Sequence, residues 1–250
     1  MNRVITIIYA PGAYGSFIGW VLDRFNKTRK NFEPSIMDNP LQPDGSSHGY
    51  ASFCKIRNTD FFIQELEKCR NSISLWGYGI YGGWPTAIGE DIDLATCKIL
   101  RWMNDDDRII FIERPTLHEV FLCWLNNETK MTRDRWYDML DIRDDTQLIE
   151  RLQQEIDNRS CDVSDSRIVR VSVIDILNGD PTKLLKKLYT HLDWEIEDTD
   201  IDIFLDVHLR MINMQKNLQI LYDLYSNKLT NLTAAQKSIN NILRKYNNDL

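Results

Sequence analysis

The sequence is poor in the residues that build metal sites and disulfide frameworks. Its five cysteines are an odd number, lie far apart and form no Cys-x-x-Cys pair, and it has only four histidines. We therefore expect free thiols in a reducing compartment, no zinc site and a cytoplasmic location. Long apolar runs are missing as well, since no stretch approaches the ~18 uninterrupted apolar residues of a membrane-spanning helix. Because no signal-peptide pattern is present, we expect the mature chain to start at Met1.

An excess of positive charge is also missing. Thirty Lys and Arg stand against 37 Asp and Glu, giving a net charge of −7. This balance argues against a general binder of nucleic acid or of anionic membranes, although it leaves room for a local basic pocket. The scarcity is greatest near the start of the chain, where no Lys or Arg occurs between Arg3 and Arg24.

What is present is the composition of an ordinary globular domain, with 43% hydrophobic and 27% charged residues over 250 positions. Apolar runs of strand length alternate with loops and helical patterns, which predicts an α/β fold with parallel neighbouring strands in a single domain, residues 1–250. Strands are predicted at residues 4–10, 72–76, 108–113 and 168–173. Helices are predicted at residues 17–27, 61–70, 91–104, 116–127, 131–157, 181–192, 202–226 and 234–246, irregular segments at 31–60 and 77–85, and a solvated turn at 105–107.

The first strand leads into Pro11-Gly12-Ala13-Tyr14-Gly15-Ser16 and then into a helix. A strand that turns through glycines into a helix is where α/β proteins bind anions, because free main-chain amides and the positive end of the helix dipole point at one spot. Gly12 and Gly15 would let the backbone approach an oxyanion, and Ser16 would donate its hydroxyl and cap the helix. Neither the Walker A pattern nor Gly-x-Gly-x-x-Gly is present. The alternative is a turn that needs glycine for steric reasons alone.

Three segments, in chain order, resemble parts of sulfotransferases. Residues 4–16 resemble the strand and loop that hold the 5′-phosphosulfate of the donor, 3′-phosphoadenosine 5′-phosphosulfate. Residues 109–115 resemble the strand that ends in the arginine for the donor's 3′-phosphate. Residues 171–188, followed by His191-Leu192-Asp193-Trp194, resemble the late strand, Asp-Pro turn and helix of that family.

The resemblance implies a three-layer α/β/α fold of P-loop type with a mostly parallel central sheet and C-terminal helices. It implies transfer of sulfate from the phosphosulfate donor to a hydroxyl of a small molecule or carbohydrate, with no metal. The residues that would hold the donor are Pro11, Gly12, Ala13, Tyr14, Gly15, Ser16, Phe17 and Arg114. For Arg114 the alternative role is an ion pair with Glu113 or Glu119.

Residues 31–90 would supply the acceptor-side loops. His48 is the first candidate for the base that takes the proton of the acceptor hydroxyl, and Glu90 is the second. A solvated loop histidine and an acid that complements a helix dipole are their respective alternatives. Tyr78, Tyr81 and Trp84 are candidates for an aromatic platform under a sugar ring or adenine, or else for core packing.

The first loop lacks the lysine that sulfotransferases usually carry there, so an active enzyme would need another cation. The candidates are Arg101, Arg108, Lys130 and Arg133. The C-terminal helical extension, residues 200–250, would cover the sheet or form a homodimer contact. His118, His191 and His208 lie in helical patterns and are expected to be structural.

Two other functions fit the same segments. The first is a kinase-like phosphotransferase that uses ATP and Mg²⁺, against which the missing loop lysine counts, because that residue normally reaches the β- and γ-phosphates. The second is a non-catalytic binding protein on the same fold.

Overall fold

The computed structural model describes a sheet and the helices that pack on it. The described residues are 4–9, 12–25, 41, 55–56, 63–64, 77–81, 92–116, 119–120, 123, 147, 150 and 164–214. The strands are β1 (Ile5–Tyr9), β2 (Lys55–Ile56), β3 (Gly77–Tyr81), β4 (Arg108–Glu113) and β5 (Ile168–Ser172). The helices are α1 (Gly15–Phe25), α2 (Ile92–Leu100), α3 (Val173–Leu177), α4 (Pro181–Leu192) and α5 (Asp198–Met214).

The five strands form one parallel sheet in the order β2-β3-β1-β4-β5. β1 lies in the middle, paired with β3 on one side and with β4 on the other. All of its residues are buried, as expected for a parallel strand that is covered on both faces. The predicted α/β class with parallel neighbouring strands is therefore confirmed.

Helices cover both faces of this sheet. On one face, Ile5 and Ile7 belong to a core cluster with residues of α1, α4 and α5. On the other face, Val4 and Ile8 pack with Ile99 of α2. The alternation follows from the two-residue period of a strand, which sends successive side chains to opposite faces.

Helices α1 and α5 meet through aromatic side chains. The ring of Phe17 lies 5.9 Å from the rings of both Trp20 and Phe204, centroid to centroid. All three side chains are fully buried, so α5 helps to cover the sheet, which is one of the two roles predicted for the C-terminal helices. Within the described residues, no helix is long and apolar enough to cross a membrane.

The strand β3 lies later in the chain than the sequence predicts. Residues 72–76 were expected to form the strand and residues 77–85 a loop, but β3 is Gly77–Tyr81. Pairing with β1 outweighs the low strand propensity of glycine. Gly77 and Gly79 pair with Ile5 and Ile7, so they lie on the face where α1 contacts β3, and glycine allows that close approach.

Two further elements depart from the sequence prediction. The short strand β2 falls inside residues 31–60, which were expected to be irregular. β5 ends at Ser172, one residue earlier than predicted, because Ser172 is the N-cap of α3 and forms a capping box with Asp175. By contrast, α4 has its predicted bounds, with Asp180 as N-cap and Pro181 at the first helical position.

Asp107 fixes the start of β1 at the amino edge of the sheet. Its Oδ1 accepts a hydrogen bond from the amide of Val4 at 2.9 Å, and its Oδ2 accepts one from the amide of Asn104 at 2.7 Å. Asp107 is 1% exposed, so the prediction that residues 105–107 form a solvated turn is wrong for this position. Buried amides need acceptors, and one carboxylate supplies two.

We predict that Asp107→Ala lowers the free energy of unfolding by about 1–3 kcal/mol, because it leaves a buried amide without an acceptor. The neighbouring Asp106→Ala, at an exposed position, serves as the matched control and should change stability by no more than about 0.5 kcal/mol. Urea unfolding of the two variants measures the difference. Equal stability losses would contradict the role of the Asp107 carboxylate.

His208 is a buried histidine on α5. Its Nε2 lies 2.6 Å from the carbonyl oxygen of Ile176 at the end of α3, and its ring packs near Phe17 and Phe204. Burial lowers the pKa of His208 below its usual value. The expectation of a structural histidine agrees with these contacts.

We predict that His208 makes the free energy of unfolding decrease as the pH is lowered. The pKa of His208 is lower in the folded chain, so the unfolded chain binds more protons between that value and about 6.5. Its contribution is complete above pH ~6.5 and is lost as the pH falls towards the folded-state pKa. Urea unfolding at a series of pH values should show a shallower slope for His208→Gln than for the wild type. An identical slope would show that another group is responsible.

Candidate functional site

The loop between β1 and α1 reverses the chain with two residues in the left-handed region. Gly12 has φ of 78° and Tyr14 has φ of 61°. Such a value is ordinary for glycine but costs a non-glycine residue roughly 1–2 kcal/mol. Tyr14 is held there by packing, since it belongs to the core cluster on the α1 face. The loop is therefore a defined turn that brings the first residues of α1 back over the end of β1.

Gly15, the first residue of α1, packs directly on the ring of Tyr9. A Cβ atom at position 15 would overlap that ring. Glycine is thus required here for steric reasons, which was the alternative to anion binding. The two explanations are compatible, because the close approach of Gly15 to Tyr9 also sets where the helix begins.

The first turn of α1 presents main-chain amides without helical acceptors. The carbonyl of Tyr14 accepts the first hydrogen bond of the helix, from the amide of Ile18 at 3.1 Å. The amides of Gly15, Ser16 and Phe17 come before that bond and have no acceptor within the helix. Ser16 lies inside the helix, after Tyr14 at the N-cap position, so the prediction that Ser16 caps α1 is wrong.

Acidic groups lie at the starts of α3, α4 and α5, but not at the start of α1. α3 has Asp175, α4 has the N-cap Asp180, and α5 has Asp198 and Asp200. α1 has no acidic residue in its first turn. The positive end of its dipole is therefore not neutralised by a side chain of the helix itself.

The side chains of this loop face the core. Ala13 and Phe17 are fully buried, and Tyr14 is nearly so. Burial, and to a lesser extent the nearby Cys123, raises the pKa of the Tyr14 phenol, which therefore stays neutral. Any contribution of these three residues to a ligand would come from their main chain, as the sequence analysis expected for an anion held without lysine.

Arg114 follows the neighbouring strand at the same edge. β1 and β4 pair in parallel with Tyr9 opposite Ile112. Arg114 comes directly after the last residue of β4, and the loop to α1 follows Tyr9, the last residue of β1. Arg114 is only 3% exposed, and a guanidinium cannot lose its charge there. Residues 12–14 and Arg114 therefore follow the carboxyl ends of two adjacent strands, and their joint role in holding a donor stays a prediction.

This place is a switch point of the sheet. The chain leaves β1 towards β3 and β2, and it leaves β4 towards β5 on the opposite side. In open parallel sheets, ligands bind outside the carboxyl ends of the two strands whose connections diverge in this way. The loop of residues 12–14 and Arg114 occupy that position.

Glu119 is a residue of this edge that the sequence analysis did not single out as a site residue. Its Oε2 accepts hydrogen bonds from the amide and the hydroxyl of Thr116, at 3.2 and 2.8 Å. Its Oε1 accepts one from the amide of Ile174, at 3.2 Å. The amide of Glu119 donates in return to Oγ1 of Thr116 at 3.3 Å. The pattern Thr-x-x-Glu is a capping box, and that signal could have identified the pair.

The alternative role of Arg114 was an ion pair with Glu113 or Glu119. Glu113 forms a salt bridge with Arg170, Nη1 to Oε2 3.4 Å. The guanidinium of Arg170 also lies over the ring of Phe111 at 5.1 Å. Glu119 accepts the hydrogen bonds described above. Both carboxylates therefore have other partners.

Two of the candidate cations lie at the wrong edge. Arg108 begins β4, so it is about 16 Å from the carboxyl edge. Its Nε donates to the carbonyl of His191 at 3.1 Å and its Nη2 pairs with Asp193 at 3.3 Å, because the last carbonyls of α4 attract a cation. Arg101 is exposed between α2 and β4, also on the amino side. The prediction that Arg101 or Arg108 could replace the missing lysine of the β1–α1 loop is therefore wrong.

Several predicted site residues lie outside the described residues. These are Pro11, His48, Glu90, Lys130, Arg133, His118 and Trp84. Tyr78 and Tyr81 lie in the strand β3 and not in a loop. The two candidate bases therefore stay predictions.

Comparisons with known proteins assign neither a family nor a function to this chain. No protein-family model, curated protein or solved structure matches the chain. The part of the chain that the structure describes contains no group of three or more His, Cys, Asp or Glu side chains that could hold a metal ion.

We predict that Gly15→Ala destabilises the protein by about 1–3 kcal/mol, the usual cost of overpacking, because the new methyl group meets the ring of Tyr9. In a Tyr9→Val background, which removes the ring, the same substitution should cost far less. A double-mutant cycle by urea unfolding gives the coupling energy. An equal cost in both backgrounds would show that the contact between residues 9 and 15 is not what requires glycine.

Proposed function

We propose that the protein is a sulfotransferase-like enzyme built on a three-layer α/β/α domain of P-loop type. It transfers sulfate from 3′-phosphoadenosine 5′-phosphosulfate to a hydroxyl group of a small molecule or carbohydrate. The observation that carries the proposal is the adjacency of the β1–α1 loop and Arg114 at the carboxyl ends of neighbouring strands. This arrangement supports one ligand with two separate anionic groups.

The donor has anionic groups that suit these two elements. The amides at the start of α1 are suited to the 5′-phosphosulfate, since they donate hydrogen bonds and the helix dipole adds to them. Arg114 is suited to the 3′-phosphate, because a guanidinium binds phosphate oxygens in a bidentate manner. A ligand with a single phosphate would use only half of this site.

The chemistry requires positioning more than covalent help from the protein. The bond between sulfur and the bridging oxygen of the donor breaks, and that oxygen leaves with the electron pair as part of 3′-phosphoadenosine 5′-phosphate. A new bond forms between sulfur and the acceptor oxygen, whose proton passes to a base, for which His48 and Glu90 are the predicted candidates. Charge that develops on the leaving oxygen is stabilised by amides aimed at it, as in phosphoryl transfer. The reaction needs no metal.

We predict that the protein binds 3′-phosphoadenosine 5′-phosphate and that Arg114→Gln weakens this binding roughly tenfold to a hundredfold. This range corresponds to the loss of a charged hydrogen-bonding group worth about 1.5–3 kcal/mol. Adenosine 5′-phosphate lacks the 3′-phosphate, so its affinity should be nearly unchanged by the substitution. Isothermal titration calorimetry with both nucleotides measures the two effects.

A matched arginine on the next strand provides the control. Arg170→Gln removes a cation that pairs with Glu113 and stacks on Phe111, and it should leave both affinities within about twofold of the wild type. No binding of 3′-phosphoadenosine 5′-phosphate by the folded wild type at millimolar nucleotide would eliminate the proposed function. Magnesium-dependent turnover of ATP would instead support the kinase-like alternative.

A further inference from the structure

Glu119 is a buried carboxylate beside the proposed site, and the proposed reaction gives it no role. It is 2% exposed. Its two oxygens accept three hydrogen bonds, from the amide and hydroxyl of Thr116 and from the amide of Ile174. Glutamate is rarely buried to this extent unless its carboxylate oxygens accept hydrogen bonds or pair with a cation.

The donors to Glu119 belong to the two segments that leave β4 and β5. Thr116 is two residues after Arg114, and Ile174 is two residues after Ser172. Glu113 and Ser172 are paired in the register of the two strands, so the segments leave the sheet side by side. Glu119 therefore joins them immediately beyond the last paired residues.

These bonds fix the backbone on both sides of Arg114. On its amino side, β4 holds Glu113 in the sheet. On its carboxyl side, Pro115 has a restricted φ angle, and Thr116 is held by the capping box with Glu119. The backbone around Arg114 is therefore fixed before a ligand binds, which reduces the entropy lost on binding.

We propose that Glu119 is a positioning residue, which acts through Arg114 by clamping the turn of residues 114–116 against the start of α3. A carboxylate suits this task because both of its oxygens accept hydrogen bonds, whereas one of the two terminal atoms of glutamine is a donor. The ligand concerned is the phosphate monoester that Arg114 binds, and its identity as the donor's 3′-phosphate rests on the proposed function.

The clamp is tested first without any ligand. In Glu119→Gln, hydrogen exchange measured by NMR should become at least tenfold faster at the amides of Thr116 and Ile174. Ser172→Ala is the matched control, because it loosens the start of α3 from the other side and should speed exchange at Asp175 while leaving Thr116 protected. Unchanged exchange at Thr116 in Glu119→Gln would overturn the clamp.

The effect through Arg114 is tested by calorimetry with 3′-phosphoadenosine 5′-phosphate. Glu119→Gln should weaken binding about tenfold, the lower end of what is lost when a residue that holds a ligand group in place is removed. In an Arg114→Gln background the same substitution should have no further effect. An equal loss in both backgrounds would overturn the positioning role and leave the proposed function intact.

Two further cases complete the test. If the folded wild type binds no nucleotide, the proposed function and the positioning role of Glu119 fall together. If Glu119→Gln does not fold, Thr116→Val replaces it, since Val removes the hydroxyl that Glu119 binds and keeps a similar shape. Thr116→Ser keeps the hydroxyl and should retain both the affinity and the slow exchange, whereas under a purely steric role of Thr116 the Ser variant, which lacks the methyl group, would be impaired and the Val variant would not.

Discussion

The parallel pairing of β1 between β3 and β4 is the constraint on which the rest of the structure depends. Pairing on both sides satisfies the backbone of β1, and cover on both faces requires its side chains to be buried. Thr6 is the polar residue of this strand, and it too is fully buried. Polar chemistry is thereby restricted to the two ends of the strands. The direction of the helices that connect the strands decides whether free amides or free carbonyls lie at each edge of the sheet.

The two edges of the sheet have opposite electrostatic character. Helices that follow a strand begin at the carboxyl edge and end near the amino edge, so amides are concentrated at the first and carbonyls at the second. At the amino edge the carbonyls are met by arginines: Arg108 donates to the carbonyl of His191, and Arg167 donates to that of Met103 at 3.0 Å. At the carboxyl edge, carboxylates meet the amides, as Glu119 does for Ile174. The start of α1 departs from this rule, because its first turn has no acid.

The sequence could predict those parts of the structure that depend on local signals, and it could not predict those that depend on residues far apart in the chain. Apolar runs bounded by turn residues identify β1, β4 and β5, and the Asp180-Pro181 pair identifies the start of α4, because these signals are local. β3 could not be identified in the same way, since its glycines favour a strand only when β1 and α1 are beside them. Asp107 resembles a surface acid in sequence, and only the amide of Val4, 103 residues away, makes it a buried one.

The candidate site shows the same division. The loop after β1 and Arg114 could be proposed from short patterns that precede and follow strands. That they are neighbours depends on the strand order, which no local pattern encodes. The choice among cations depends on the strand as well: Arg108 begins β4 and Arg114 follows its last residue, so they lie at opposite edges of the sheet.

The proposed anion site is compatible with an acidic protein whose loop has no lysine, because the relevant distances are short. The net charge of −7 acts from the surface, where physiological salt screens it beyond about 8 Å. In the proposed site, the amides of α1 and the buried guanidinium of Arg114 would act on the anion at hydrogen-bond distance in a medium of lower dielectric, where screening is weak. Their directions are fixed by Gly15 against Tyr9 and by the paired ends of β4 and β5. The proposed recognition of an anion at this edge would therefore depend on how rigidly those few groups are held, more than on the charge of the whole chain.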